Sequence, residues 1–378
     1  MNGYASEQIL SSTLFRLYRA LGGDSPASAL REHAARGTVY LILRAVALLT
    51  PATNPASPLG REAALEAADG GVWSAREPAE TLAGGAYHKL IRWAFEKQGL
   101  FKAPGAPRTA EGAPPEVDVY IDDGRAGEYA FAPQPWTCTA IWNRHAPDAG
   151  EAHQEPRTGQ TNHAYVRIQN RGSRSATGLV VRGFHAQPGL GLRFPDDYAP
   201  LSTPQLEAAD LAPGASAVVG PFAWSPFAAS HEPLLFSVSA DDDPSNLDAS
   251  ITGSIAELRL VPHDNNLGLR SVHLLPLSMP SRSLTLKNPF ARSVHIELGA
   301  ELPALLASRG YQLQFTSASF ELAEGGQQLV SFRLEGGTPL DPTSLPADSR
   351  ARSLAISARA DGIPIGGTSF VLDPDLSE

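Results

Sequence analysis

The side chains best suited to chemistry fall in three polar stretches. Between Asn143 and His163 lie His145, Asp148, Glu151, His153, Glu155 and His163, and imidazoles with carboxylates are the donors that zinc takes in place of water. Their spacing matches no zinc pattern, so His145, His153 and His163 would hold a metal only if the loop folds back on itself. The competing reading is a solvated polar loop. Asp241-Asp242-Asp243-Pro244-Ser245-Asn246 and Asp122-Asp123-Gly124 offer hard oxygens of the kind Ca²⁺ gathers about six to eight at a time. Asp241, Asp242, Asp243 and Asn246 are the calcium candidates. Acidic turns that cap strands are the alternative, because neither stretch has EF-hand order.

Motifs for bond-breaking chemistry are missing. Gly-x-Ser-x-Gly does not occur, and Cys138 sits in Trp136-Thr137-Cys138-Thr139, which reads as a strand with its thiol in the core. Gly189-Leu190-Gly191 lacks the third glycine and the helix that cradle a phosphate, so a turn is expected there. With one cysteine the chain has no internal disulfide and no cysteine-based zinc cluster. A formal net charge of -10 without a Lys/Arg-dense run argues against a nucleic-acid partner. No apolar run is long enough to span a bilayer, and Met1 to Ser12 has no signal-peptide pattern, so the expectation is a chain that does not cross a membrane.

The elements that must carry these residues change character along the chain. Leu10, Leu14, Leu17 and Leu21 recur at helical steps until Gly22-Gly23. Ser25-Pro26 then suits the start of a second helix reaching Thr50-Pro51, Gly60 to Asp69 a third, and Ala86 to Gln98 a fourth with Gly99 beyond its end. Tyr87, Trp93, Phe95 and Phe101 bunch at the end of this unit, either as core or as a partner-docking groove. Ala103 to Glu116 is rich in Pro, Gly and Ala and reads as a linker.

Beyond it the apolar period becomes two. Alternation over Val117–Asp122, His163–Gln169, Leu179–Phe184, Ala217–Trp224 and Leu235–Ala240, each bounded by turn residues, predicts an antiparallel sandwich. A repeat follows. Asn170-Arg171-Gly172, Leu211-Ala212-Pro213-Gly214 and Ser237-Val238-Ser239-Ala240-Asp241 return in the same order as Leu286-Lys287-Asn288-Pro289, Leu322-Ala323-Glu324-Gly325 and Ser357-Ala358-Arg359-Ala360-Asp361. The expected fold is mainly β with an N-terminal α-helical domain (1–103), a linker (104–116), and two tandem antiparallel immunoglobulin-like β-sandwiches (117–260 and 269–378) around a hinge at 261–268.

The segment Thr161 to Gly172, the Ala212-Pro213-Gly214 turn, Phe222-Ala223-Trp224 and His263-Asp264-Asn265-Asn266 resemble CARDB-type domains, bacterial immunoglobulin-like sandwiches associated with adhesion and secreted enzymes. This resemblance covers about the middle third of the chain. Ile91-Arg92-Trp93-Ala94-Phe95-Glu96-Lys97-Gln98-Gly99 more weakly resembles the C-terminal helical lobe of thermolysin- or fungalysin-like metallopeptidases. Those enzymes need His-Glu-x-x-His, whereas His231-Glu232 here is followed by Pro233 and has no second histidine.

The resulting expectation is a non-catalytic binding or spacer protein with no cofactor beyond a candidate calcium. Its partner would be a protein or an enzyme lobe of the same precursor, and the resemblance implies an extracellular or cell-surface setting. A helical lobe of a metallopeptidase and a subunit assembling through sheet edges are the alternatives.

Overall fold

The computed structural model describes residues 3–53, 57–70, 73–74, 81–101, 114–227, 231–276, 281–338, 345–346 and 349–373. Four helices open the chain: α1 (Gly3–Tyr18), α2 (Ser28–Leu48), α3 (Pro58–Asp69) and α4 (His88–Lys97). No described helix is long and apolar enough to cross a membrane. Leu17, Leu41, Leu65, Leu90, Ile91 and Phe95 meet in one core, as their helical spacing requires. Ser57 caps α3 by accepting the Gly60 N–H (2.9 Å), with Pro58 as the first helical residue, two positions earlier than the sequence suggests. Ser25 is not the cap of α2. Its hydroxyl accepts the Ala27 N–H (3.1 Å) in a local turn, and the helix starts at Ser28.

Two β-sandwiches follow. In the first, Asn162–Asn170 pairs with Ser216–Trp224, Val119–Ile121 and Ile141–Arg144, all antiparallel. The facing sheet runs Leu267–Arg270, Leu234–Ser239, Val180–Ala186, Tyr198–Glu207. Alternate residues of both sheets, among them Val166, Ile168, Val181, Phe222, Trp224, Phe236 and Val238, form the core. Trp224 plugs the space between the sheets, fully buried with its indole N–H donated to Asn143 Oδ1 at 2.9 Å.

The second sandwich stacks Val272–Pro276, Ile363–Asp373, Ser353–Ala360, Val294–Glu301 and Ser319–Leu322 over Tyr311–Phe315, Gln327–Gly336 and Ser281–Lys287. Its core contains Leu284, Ile296, Phe332, Leu354, Ile356 and Phe370.

Two expectations about the junction are corrected. Residues 261–268 are not a hinge: Asp264, Asn265 and Asn266 are buried, and Leu267–Arg270 is zipped to Leu234–Ser237 as an edge strand of the first sandwich. Only Ser271 separates that strand from Val272–Pro276 of the second. The Gly189-Leu190 turn is also a strand. It pairs in parallel with Thr285-Leu286, adding a strand to the second sandwich and placing Leu190 in its core. Between the sandwiches Trp136, Ala186, Leu192, Tyr198, Leu235, Val261 and Leu269 form a small core of their own. Apolar area buried on both sides of a one-residue connection holds the pair as a single body.

Candidate functional site

A dense group of buried charges lies where α4 meets the first sandwich. Lys89 reaches out of α4 to Asp243 Oδ1 at 2.5 Å and to Asn266 Oδ1. Burial alone would lower this ammonium, but the carboxylates of Asp243, Asp264 and Asp118 outweigh it and raise its pKa. Asp243 also accepts the Val119 N–H (2.7 Å), and Asp264 accepts from Ser245 Oγ, Asn246 N and Asn266 N at 2.8, 2.7 and 3.0 Å. Asp118 takes Arg171 Nε at 2.5 Å and Asn265 Nδ2 at 2.7 Å, while Tyr129 donates its hydroxyl to Asn265 Oδ1 at 2.7 Å. A buried ion pair survives only with its remaining hydrogen bonds filled, and here they are filled by the Asp264-Asn265-Asn266 run.

Beside this lock opens a polar cleft of about 520 Å³, lined by Glu66, Arg92, Trp93, Glu116, Arg174 and Asp242 among others. At its helical wall, Glu62 and Glu66 of α3 face Arg92 and Glu96 of α4; Arg92 lies 2.9 Å from Glu96 and 3.7 Å from Glu62. Burial, reinforced by Glu66, pushes Glu62 up to about 8, and burial pushes Glu96 up to about 7. These two carboxyls hold protons near neutral pH, a property suited to packing two acidic helix faces together.

The structure disperses the sequence candidates. Asp241 accepts from Thr177 Oγ1 (2.9 Å), Asp242 pairs with Arg174 (2.6 Å), Asp243 with Lys89, and Asn246 donates to the Ala86 carbonyl (3.0 Å). His145 Nε2 is 2.8 Å from the Glu155 carbonyl, and His163 sits on a strand opposite Arg144 and Ala223. His153 turns the other way, into the joint between the sandwiches. Among the described residues no three His, Cys, Asp or Glu side chains are grouped as a metal would need. Cys138 is fully buried, its thiol pushed up to about 12 by that burial.

The aromatic cluster offered to a partner is spent inside the molecule. Tyr87, Trp93 and Phe95 are buried, Trp93 tilts against Tyr129 at 5.6 Å, and Phe101 stacks on Phe95 at 6.1 Å. Large apolar side chains are exposed at scattered positions such as Phe15, Leu59 and Leu329, but on α2 three of them, Val39, Leu43 and Val46, are 53%, 64% and 60% exposed at neighbouring positions. The opposite face of α2, with Ala34, Thr38, Leu41 and Ala45, is the one that packs. Steps of four and three place the exposed residues in one stripe, flanked by the exposed Arg44 and by Arg36, which lies 3.9 Å from the exposed Glu32 of the same helix.

Sequence reasoning also missed the histidine joint. Around Glu155 stand His153 (Nε2 at 3.6 Å) and His273 (Nδ1 at 3.4 Å), with the His231 ring 6.0 Å from that of His273 and Arg270 alongside. Glu232, the second half of the rejected His-Glu pair, binds His185 Nδ1 at 2.8 Å. Only the density of histidines in 145–163 hinted at this cluster, because its other members arrive from two distant segments, at 231 and at 270–273.

No family model matches the chain, and no curated protein matches it. Among solved structures, the CupB2 chaperone of Pseudomonas aeruginosa is 14% identical over 27% of this chain and 51% of that one, at a TM-score of 0.19. The periplasmic chaperone SfaE is 11% identical over 57% and 93%, at 0.18, and the D0-D1 domain of intimin 9% identical over 56% and 91%, at 0.18. The chain thus spans about half the length of the CupB2 structure. Likenesses this slight carry no argument, and the sandwich assignment stands on the strand pairing itself.

Proposed function

We propose that the chain is a non-catalytic binding and spacer module that takes a protein partner on α2, within the accessory region of a larger bacterial secreted or surface protein. The observation that carries it is the exposed stripe Val39, Leu43 and Val46, an apolar face left open on a helix whose other face is packed. The stripe carries Arg44 at one edge and Arg36, paired with Glu32, at the other, while the chain as a whole has a net charge of -10. A second, equally acidic copy is therefore a poorer occupant than a protein presenting an apolar helix rimmed by carboxylates. Behind α2 the buried charge lock and the two fused sandwiches supply a stiff support. The secreted setting rests on the CARDB resemblance.

A photoreactive residue placed at Leu43, with a control at the exposed Leu329 of the second sandwich, tests this in the source cell. Crosslinks from position 43 to one acidic protein, absent from position 329, are expected. Crosslinks only between copies of this chain, or equal yields at both positions, overturn the docking assignment. Chelator-sensitive cleavage of casein by the purified protein supplied with zinc overturns the non-catalytic reading.

A further inference from the structure

On the seam between the sandwiches, away from α2, lies a second cleft of about 400 Å³, lined by Gln187, Asp196, Asp197, Phe227, Lys287 and Gln327 among others. Phe227 lines this cleft and is, as a residue, 51% exposed. Leaving a phenylalanine this open to water forgoes a substantial part of the burial energy such a side chain offers.

The ring is nevertheless held in place by buried polar groups. His185 stacks on it with centroids 4.3 Å apart and planes 17° from parallel. Glu232, 2% exposed, accepts the Phe227 backbone N–H at 2.6 Å with one oxygen and binds His185 Nδ1 at 2.8 Å with the other. A buried histidine–carboxyl pair is expensive to maintain, and its use to fix an exposed aromatic ring points to a ligand that stacks there. Around the ring stand the exposed side chains of Gln187, Asp196 and Gln327. Among the described residues none of these three side chains makes a hydrogen bond.

We propose that this cleft binds a neutral saccharide, one pyranose face laid against Phe227 and its hydroxyls taken by Asp196, Gln187 and Gln327. A pyranose ring has the required character, a flat C–H face bounded by an edge of hydroxyl donors and acceptors. The cleft's lysine, Lys287, is consumed by Asp197, so Asp196 faces the ligand with uncompensated negative charge and turns away phosphates and uronates. Its few aliphatic walls, Pro188, Leu192 and Ala199, are too small to anchor an apolar peptide.

Calorimetric titration of the full chain with cellotriose, tri-N-acetylchitotriose and a trigalacturonate tests the assignment. Binding of at least one neutral trisaccharide is expected, with the uronate not bound. F227A should weaken it about ten-fold, the loss of one stacking contact, while F227W retains it; D196N should weaken it about three-fold. Near-ultraviolet circular dichroism of F227A unchanged from the parent confirms that the fold is kept. Failure of both neutral trisaccharides to bind at millimolar concentration, equal binding by F227A, or equal binding of the uronate each overturns the proposal.

Discussion

Asn170 and Asn288 occupy the same node of the two sandwiches. Each donates its side-chain amide to the carbonyl four residues on, Arg174 at 2.8 Å and Arg292 at 2.6 Å, and to the start of a distant turn, Leu211 at 2.9 Å and Leu322 at 3.1 Å. Each accepts the N–H two residues on, Gly172 and Phe290, both at 2.9 Å. The distant turns reverse through Gly214 and Gly325, at φ 70° and 64°, a conformation that glycine enters without steric cost. Asp241 and Asp361 complete the parallel by donating their N–H groups to Thr177 and His295, the residues seven past each asparagine. The two sandwiches therefore share one internal wiring.

Replacing either asparagine strands several buried carbonyls and amides at once. N170A and N288A should each cost about 2–3 kcal/mol, read as a lower urea midpoint with an unchanged slope. Losses under about half a kcal/mol would mean that water takes over these bonds.

The histidine joint should fail in acid. Burial lowers His153 and His231 to about 4 and His273 to about 3, helped by the positive charge of Arg270 and Arg282 and opposed by the single carboxyl of Glu155. In the unfolded chain these groups titrate near 6.5. Their contribution is therefore complete above about pH 6.5 and falls by up to about 1.4 kcal/mol per pH unit for each histidine between there and their folded values. H273Q should flatten the pH dependence of the urea midpoint between pH 4 and 6.5. A profile identical to the parent would remove the joint as its origin.

Glu62 and Glu96 act in the opposite sense. Folded values of about 8 and 7, above the ordinary 4.5, mean that folding takes up protons there. Their stabilisation is whole below about pH 4.5, declines as pH rises from there, and is lost once pH has passed their folded values. E62Q should raise the melting temperature at pH 9 and leave it nearly unchanged at pH 5. Equal shifts at both pH values would contradict the buried, proton-holding carboxyl.

The indole of Trp136 lies on bare backbone at Gly367, where an added Cβ would come 2.2 Å from Trp136 Cη2, and its N–H is donated to Ser369 Oγ at 3.2 Å. G367V should therefore cost about 3 kcal/mol by overpacking the seam between the sandwiches. A neutral effect on the urea midpoint would show that the seam can open without penalty.

Helices and strands were legible because burial writes its period into the chain: three and four through Leu10, Leu14 and Leu17, two through Val117, Val119 and Ile121. The asparagine node was legible too, since one residue type sits at the same place before the same turn. The fusion of the domains was not. Gly189-Leu190 looks like a turn until Thr285-Leu286 lies beside it, and Lys89 finds Asp243 only across 154 positions of sequence. Pairings set by tertiary approach leave no local period. The aromatic cluster of α4 was open to either a core or a docking reading for the same reason, since what packs on Trp93 is Tyr129 of another domain.

The account stands on the helical unit and both sandwiches behaving as one body, and differential scanning calorimetry of the parent and K89M measures this directly. One cooperative transition is predicted for the parent, with K89M stranding Asp243 and lowering that single transition by the equivalent of about 3 kcal/mol. Separate transitions in the parent, or a K89M scan in which only part of the heat absorption moves, would contradict it.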